Sequence, residues 1–140
     1  MMQISNQMLA NLPMTPEAQA PPDEVLLKLA TSVLEEFSKN QMLLTLMRII
    51  IGESGRFPEL SQTFVREIQK PLLTRLVTYI ASQPQLSFPD PLIAAQIFVG
   101  SLVHYTIIQH VLDGGKILPM ERDRIVNGLV QVLIAAGKSM

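Results

Sequence analysis

Cysteine is missing from this chain, which excludes disulfides, thiolate nucleophiles and zinc–thiolate sites. Charge is scarce as well. Asp, Glu, Lys and Arg make up 16% of the residues, against roughly 25% in an ordinary soluble domain. The hydrophobic set reaches 48% and the mean hydropathy is +0.29. A surface that apolar is either covered by a partner or meets lipid. The formal net charge of −1 leaves no basic footprint of the kind that grips nucleic acid, so direct DNA binding by this chain is not expected. No run alternates with period two, so no strand is expected and the fold class reads as all-α. The N-terminus lacks the charged start, apolar stretch and small-residue cleavage site of a signal peptide, and a cytoplasmic location is the expectation.

With 140 residues, the chain is long enough to bury one real core. Ile4, Met8 and Leu12 form a short helical stripe that runs into Pro13, Pro16, Pro21 and Pro22. Residues 1–22 therefore read as a residual helical turn and a proline-rich linker, with a disordered tail as the alternative. Residues 23–140 read as the domain. Asp23 is a candidate N-cap, and Val25, Leu29, Val33 and Phe37 step by four along an amphipathic helix over 23–39. Gln41 to Ile51 is apolar nearly all round, as in a helix packed on several sides. Pro58 suits a first helical turn. From there Leu60, Phe64, Ile68, Leu72, Leu76 and Ile80 continue the period, with a kink expected at Pro71. Asp90-Pro91 opens another helix, for which Gly114-Gly115 supply a left-handed end. The last helix follows Pro119, with Glu121 and Asp123 at its positive end and Lys138 at its negative end.

Two absences matter most. No Asp, Glu, Lys or Arg occurs from Pro91 through Leu112, and none from Ile125 through Gly137. A helix on the outside of a monomer needs a solvated face, and these two helices show none. Three explanations compete. A two-fold dimer would gather both helices and their copies into a four-helix bundle, with Gly100, Ser101, Gly128, Ala135 and Ala136 permitting close approach. A membrane span fits the length of the first helix, but two His and two Gln lie within it and no aromatic belt or basic cluster flanks it. Burial within one copy is hard for two full helices in so small a domain. Homodimerisation is the expectation. Its interface is assigned to Gly100, Val103, Ile107 and Val111 on one helix and Val126, Leu129, Val130 and Leu133 on the other.

Catalytic chemistry is not visible. His104 and His110 are six apart and point ~120° away from each other on one helix, so they do not jointly hold a metal. Gly114-Gly115-Lys116 is similar to a phosphate loop but lacks the upstream Gly, the following Ser or Thr and a preceding strand. Gly52-Glu53-Ser54-Gly55 is not a nucleophile elbow. Glu35 and Glu36 occupy a solvated face. No catalytic residue, metal site or cofactor is expected.

The stretch Leu46-Met47-Arg48-Ile49-Ile50-Ile51-Gly52-Glu53-Ser54-Gly55-Arg56-Phe57-Pro58-Glu59-Leu60 resembles a junction in the C-terminal domain of TetR/AcrR-type transcription regulators. In that family an apolar helix carrying Arg ends in Glu, and Arg-Phe-Pro-Glu-Leu starts the next long helix. The flanking segments agree in order over about 23–138, and the AefR-like branch is the most similar. The resemblance implies a bundle of about five main helices, with the last two forming a dimeric four-helix bundle and those before them surrounding an effector pocket. Residues 1–22 are too short and too rich in proline to supply the family's helix-turn-helix. The implied function is that of a regulatory domain that binds a small hydrophobic effector and homodimerises. The alternative is a stand-alone interaction protein that heterodimerises with a full-length relative. Candidate pocket residues are Arg48, Phe57, Phe64, Ile68, Tyr79, His104, Tyr105 and Ile108, which combine apolar surface with a few polar handles. Arg48 needs a partner on so apolar a helix, either Glu53 or a ligand anion, with Glu53 preferred.

Overall fold

The computed structural model describes residues 20–139, with side chains to Lys138. Of the turn and linker expected over 1–22, residues 1–19 lie outside the described residues, and Pro22 already belongs to the first helix. The described residues form five helices and no strand. Helix α1 is Pro22–Lys39 and α2 is Gln41–Glu53. Helix α3 is continuous from Pro58–Phe64 through a π turn at Val65–Gln69 into Lys70–Ser82. Helix α4 is Pro91–Thr106 and ends in a second π turn at Ile107–Val111. Helix α5 is Arg122–Ser139.

Helix α1 is the spine of the core. Its apolar residues fall in pairs one turn apart, so Val25, Leu26, Leu29, Ala30, Val33, Leu34 and Phe37 are all buried. It lies along α5, and α3 lies along α4. Asp23 is not the N-cap that the sequence suggests. Pro22 already occupies the first turn, the Val25 amide donates to the Pro21 carbonyl at 3.2 Å, and Asp23 sits one residue inside the helix. Proline fits there because its fixed φ is helical and its missing N–H would have had no partner. Asp90 does cap α4, its side chain accepting from the Leu92 amide at 3.2 Å.

Pro71 is accommodated by a wider turn. With no N–H of its own, it leaves a carbonyl one turn back without a donor, and its ring would press on that carbonyl. The π turn immediately upstream absorbs this: the Lys70 amide reaches back to the Val65 carbonyl, five residues away.

The end of α4 also differs from expectation. The left-handed residue is Asp113, with φ 52°, and no glycine has positive φ. The π turn brings the helix to its end before the glycines, so the reversal falls on Asp113. Gly114 is needed for space. Its amide donates to the Ile108 carbonyl at 2.7 Å, and a Cβ there would stand 2.9 Å from that oxygen. At the far end of α5, the Ser87 amide donates to the Gly137 carbonyl at 3.0 Å, which ties the α3–α4 connection to the bundle.

Candidate functional site

The C-terminal half of α4 carries Ser101, His104, Tyr105 and, in its π turn, Ile108 and Gln109. The chain leaving α4 folds back over these residues with Leu118, Pro119 and Met120, and Ile125 of α5 closes one side. Between them lies a cleft of about 280 Å³. The Gln109 amide nitrogen donates to the Leu118 carbonyl at 2.6 Å and fastens this roof to the helix. The Ser101 hydroxyl donates to the Ile97 carbonyl at 2.8 Å, the ordinary resting bond of a helical serine. No Asp, Glu, Lys or Arg is among the described residues that line the cleft. Tyr105 is nearly buried, and its ring meets the edge of His110 at 5.9 Å. Burial pushes the Tyr105 hydroxyl pKa up, with Arg122 opposing the shift and Asp123 adding to it. Such a lining suits an uncharged apolar molecule with one hydrogen-bonding end.

Three of the eight expected pocket residues meet here: His104, Tyr105 and Ile108. The other five are elsewhere. Ile68 and Tyr79 lie inside the core at 3% and 1% exposure, and Phe64 packs half-buried against it. Phe57 is exposed at the start of α3, with the Arg56 guanidinium 5.4 Å above its ring. Arg48 is exposed on α2 and crosses to the end of α4, donating to the His110 carbonyl at 2.7 Å and the Val111 carbonyl at 3.5 Å. The expected Glu53 partner is therefore corrected: Glu53 pairs with Arg56 at 3.5 Å. Those two face each other across the turn that follows α2, whereas Arg48 has carbonyls of a helix end within reach. Ser101, Gln109, Leu118, Pro119, Met120 and Ile125 were not among the expected residues. The apolar run Ile117-Leu118-Pro119-Met120 after two glycines was the signal available for part of that set.

One protein family matches the chain from α1 to α5. The description "AefR-like transcriptional repressor, C-terminal domain" fits residues 24–137, most of the chain. The chain belongs to that family. No curated protein and no solved structure matches it. The AefR-like domain is thus a TetR-type C-terminal regulatory domain, all-helical and of a non-enzymatic family.

The residues of the AefR-like domain expected at a dimer interface divide between its core and its surface. Val126, Leu129, Val130 and Leu133 are buried within one copy, at 3%, 8%, 5% and 4% exposure. They form the stripe of α5 that α1 already covers. On α4, Gly100 is exposed while Val103, Ile107 and Val111 are half-buried. The solvent side of α4 instead shows Ile93, Ile97, Gly100 and His104, and Val132 of α5 is 67% exposed beside it. Ile93, Ile97 and Val132 also border a shallow apolar hollow of about 300 Å³ at the other end of α4. Helix α4 with its π turn is long and apolar enough to cross a bilayer. Its opposite face, Ala94, Ala95, Phe98, Val99, Leu102, Tyr105 and Thr106, is buried against the protein's own core.

Proposed function

We propose that this cytoplasmic AefR-like domain homodimerises through the outer faces of α4 and α5 and binds a small hydrophobic effector in the cleft at His104, Tyr105 and Ile108. In a regulator that also carries a DNA-reading segment, the effector would favour one arrangement of the dimer over another. It does so only through a difference in affinity for the two.

The observation that carries this reading is the solvent side of α4. Ile93, Ile97, Gly100 and His104 recur at helical spacing with no charge among them, and Ile93 and Ile97 are 49% and 54% exposed. An uncharged, largely apolar helix face that one copy leaves open to solvent suits an interface. A second copy supplies a matching surface by two-fold symmetry. The cleft opens on the same helix, so its occupant and the partner share one wall.

Light scattering on the purified chain tests the assembly, and titration with the neutral fluorophore N-phenyl-1-naphthylamine tests the cleft. The expected result is a dimer at micromolar concentration that binds the probe, with Leu118→Ala, a change in the cleft's roof and off the α4 strip, weakening binding and leaving the dimer intact. A monomer refutes the assembly. A dimer that binds no probe points to the interaction-protein alternative.

A further inference from the structure

We infer that Arg48 is a positioning residue for the cleft, acting from outside it as a clamp on the π turn that ends α4. The part of this inference that concerns the ligand rests on the reading of the cleft given above.

The last carbonyls of any helix lack donors from their own helix. At the end of α4 the π turn rearranges them. The Leu112 amide reaches Ile107 at 2.8 Å, five residues back, and the Gly114 amide takes the Ile108 carbonyl at 2.7 Å. The His110 and Val111 carbonyls are taken by Arg48, the one basic residue of α2. Its guanidinium offers a planar fork of donors, which suits two adjacent oxygens as a lysine ammonium does not. Its positive charge also lies at the negative end of α4.

The same turn carries two walls of the cleft, Ile108 and Gln109, and Gln109 holds the Leu118 carbonyl of the roof. Arg48 lines none of the cleft. A continuous chain of contacts therefore runs from α2 through Arg48, the π turn and Gln109 to the roof. Each link is a named hydrogen bond, and the clamp joins residues more than sixty positions apart in sequence. Loosening the clamp releases the turn, and with it the spacing of Ile108 and Gln109 against Leu118.

The test combines amide hydrogen exchange with titration of N-phenyl-1-naphthylamine on the full chain, using Arg48→Ala, Arg48→Met and Arg48→Lys. Methionine keeps much of the aliphatic stem, so it gives a folded variant should alanine open a gap. The expected result is exchange about three- to tenfold faster at the Leu112 and Gly114 amides, the size of a lost surface hydrogen bond. Exchange within α1 should stay unchanged, and probe affinity should fall about three- to tenfold. Lysine, which can reach one carbonyl at a time, should restore part of both. Unchanged exchange at Leu112 and Gly114 in both the alanine and methionine variants overturns the clamp. Faster exchange with unchanged probe affinity overturns its role in shaping the cleft. If the native chain binds no probe, the cleft reading fails, and the exchange data still decide whether Arg48 holds the turn.

Discussion

Substituting Ile97 by aspartate separates folding from assembly. Ile97 is 54% exposed in one copy, midway along the solvent side of α4. Burying a whole isoleucine side chain is worth about 1.5–3 kcal/mol. The exposed half would then contribute about 0.8–1.5 kcal/mol per copy, and two-fold symmetry doubles this to about 1.5–3 kcal/mol across the dimer. Aspartate adds two carboxylates brought together away from water, a further cost of several kcal/mol. Each 1.4 kcal/mol is tenfold in the dissociation constant, so dimer affinity should fall by at least about one hundredfold. Folding loses much less. The position is half-solvated and the helix-propensity penalty of aspartate is about 0.7 kcal/mol. Light scattering at micromolar protein should show Ile97→Asp as a monomer where the native chain is a dimer. Circular dichroism should show a helical content that is unaltered, with a melting temperature lowered only in step with the lost dimer. An aspartate variant that remains dimeric would refute the assignment of this strip, because no interface buries that pair of charges at no cost.

Two further substitutions probe the fold. Gly114→Ala places a methyl group 2.9 Å from the Ile108 carbonyl oxygen. Relieving that contact should cost about 1–3 kcal/mol in chemical denaturation, and an unchanged midpoint would argue against the tight turn. Tyr79 is buried to 1% exposure and its hydroxyl has no hydrogen-bond partner among the described residues. Tyr79→Phe should therefore be neutral or stabilising by up to about 1–2 kcal/mol. The same residue sets a pH dependence. Burial, and then the Asp23 carboxylate, raise its pKa above 10.0. The folded state holds the proton more tightly than the unfolded one, so this contribution is complete below pH 10 and is lost as pH climbs toward the folded value. Melting curves from pH 8 to 11 should fall less steeply at the alkaline end for Tyr79→Phe than for the native chain.

Much of the fold is written in local periodicity. The spacing of Val25, Leu29, Val33 and Phe37 marks α1, and the structure buries all four. Pro58, Asp90-Pro91 and Pro119 mark where α3, α4 and α5 begin or are about to begin. What periodicity cannot supply is the identity of the neighbour. Val126, Leu129, Val130 and Leu133 form an apolar stripe that fits a partner copy or α1 equally well, and α1 covers it. The same holds for the cleft. His104, Tyr105 and Ile108 share one stretch of one helix, so a local pattern groups them. Phe57, Tyr79 and Arg48 come from separate elements, and only the packing of α2 and α3 decides where they go. The π turns shift register by one residue, which no apolar pattern records. That shift is why Asp113, and not Gly114, carries the left-handed backbone.

The absence of charge along α4 has two causes on its two sides. Phe98, Leu102 and Tyr105 are uncharged because they fill the domain's own core. Ile93, Ile97 and His104 lie on the opposite side, where burial within one copy gives no reason to exclude Lys or Glu. In an isolated copy that side would gain solubility from a single charge and lose little in packing. The proposed second copy supplies the reason for its bareness. His104 belongs both to that bare side and to the cleft wall, so displacement of its ring by a ligand would alter the surface offered to a partner. By reciprocity the partner would alter the cleft by the same free energy. Probe affinity should accordingly differ between the native dimer and the Ile97→Asp monomer, although Ile97 does not line the cleft. Equal affinities would show that the two surfaces, though they share a helix, work independently.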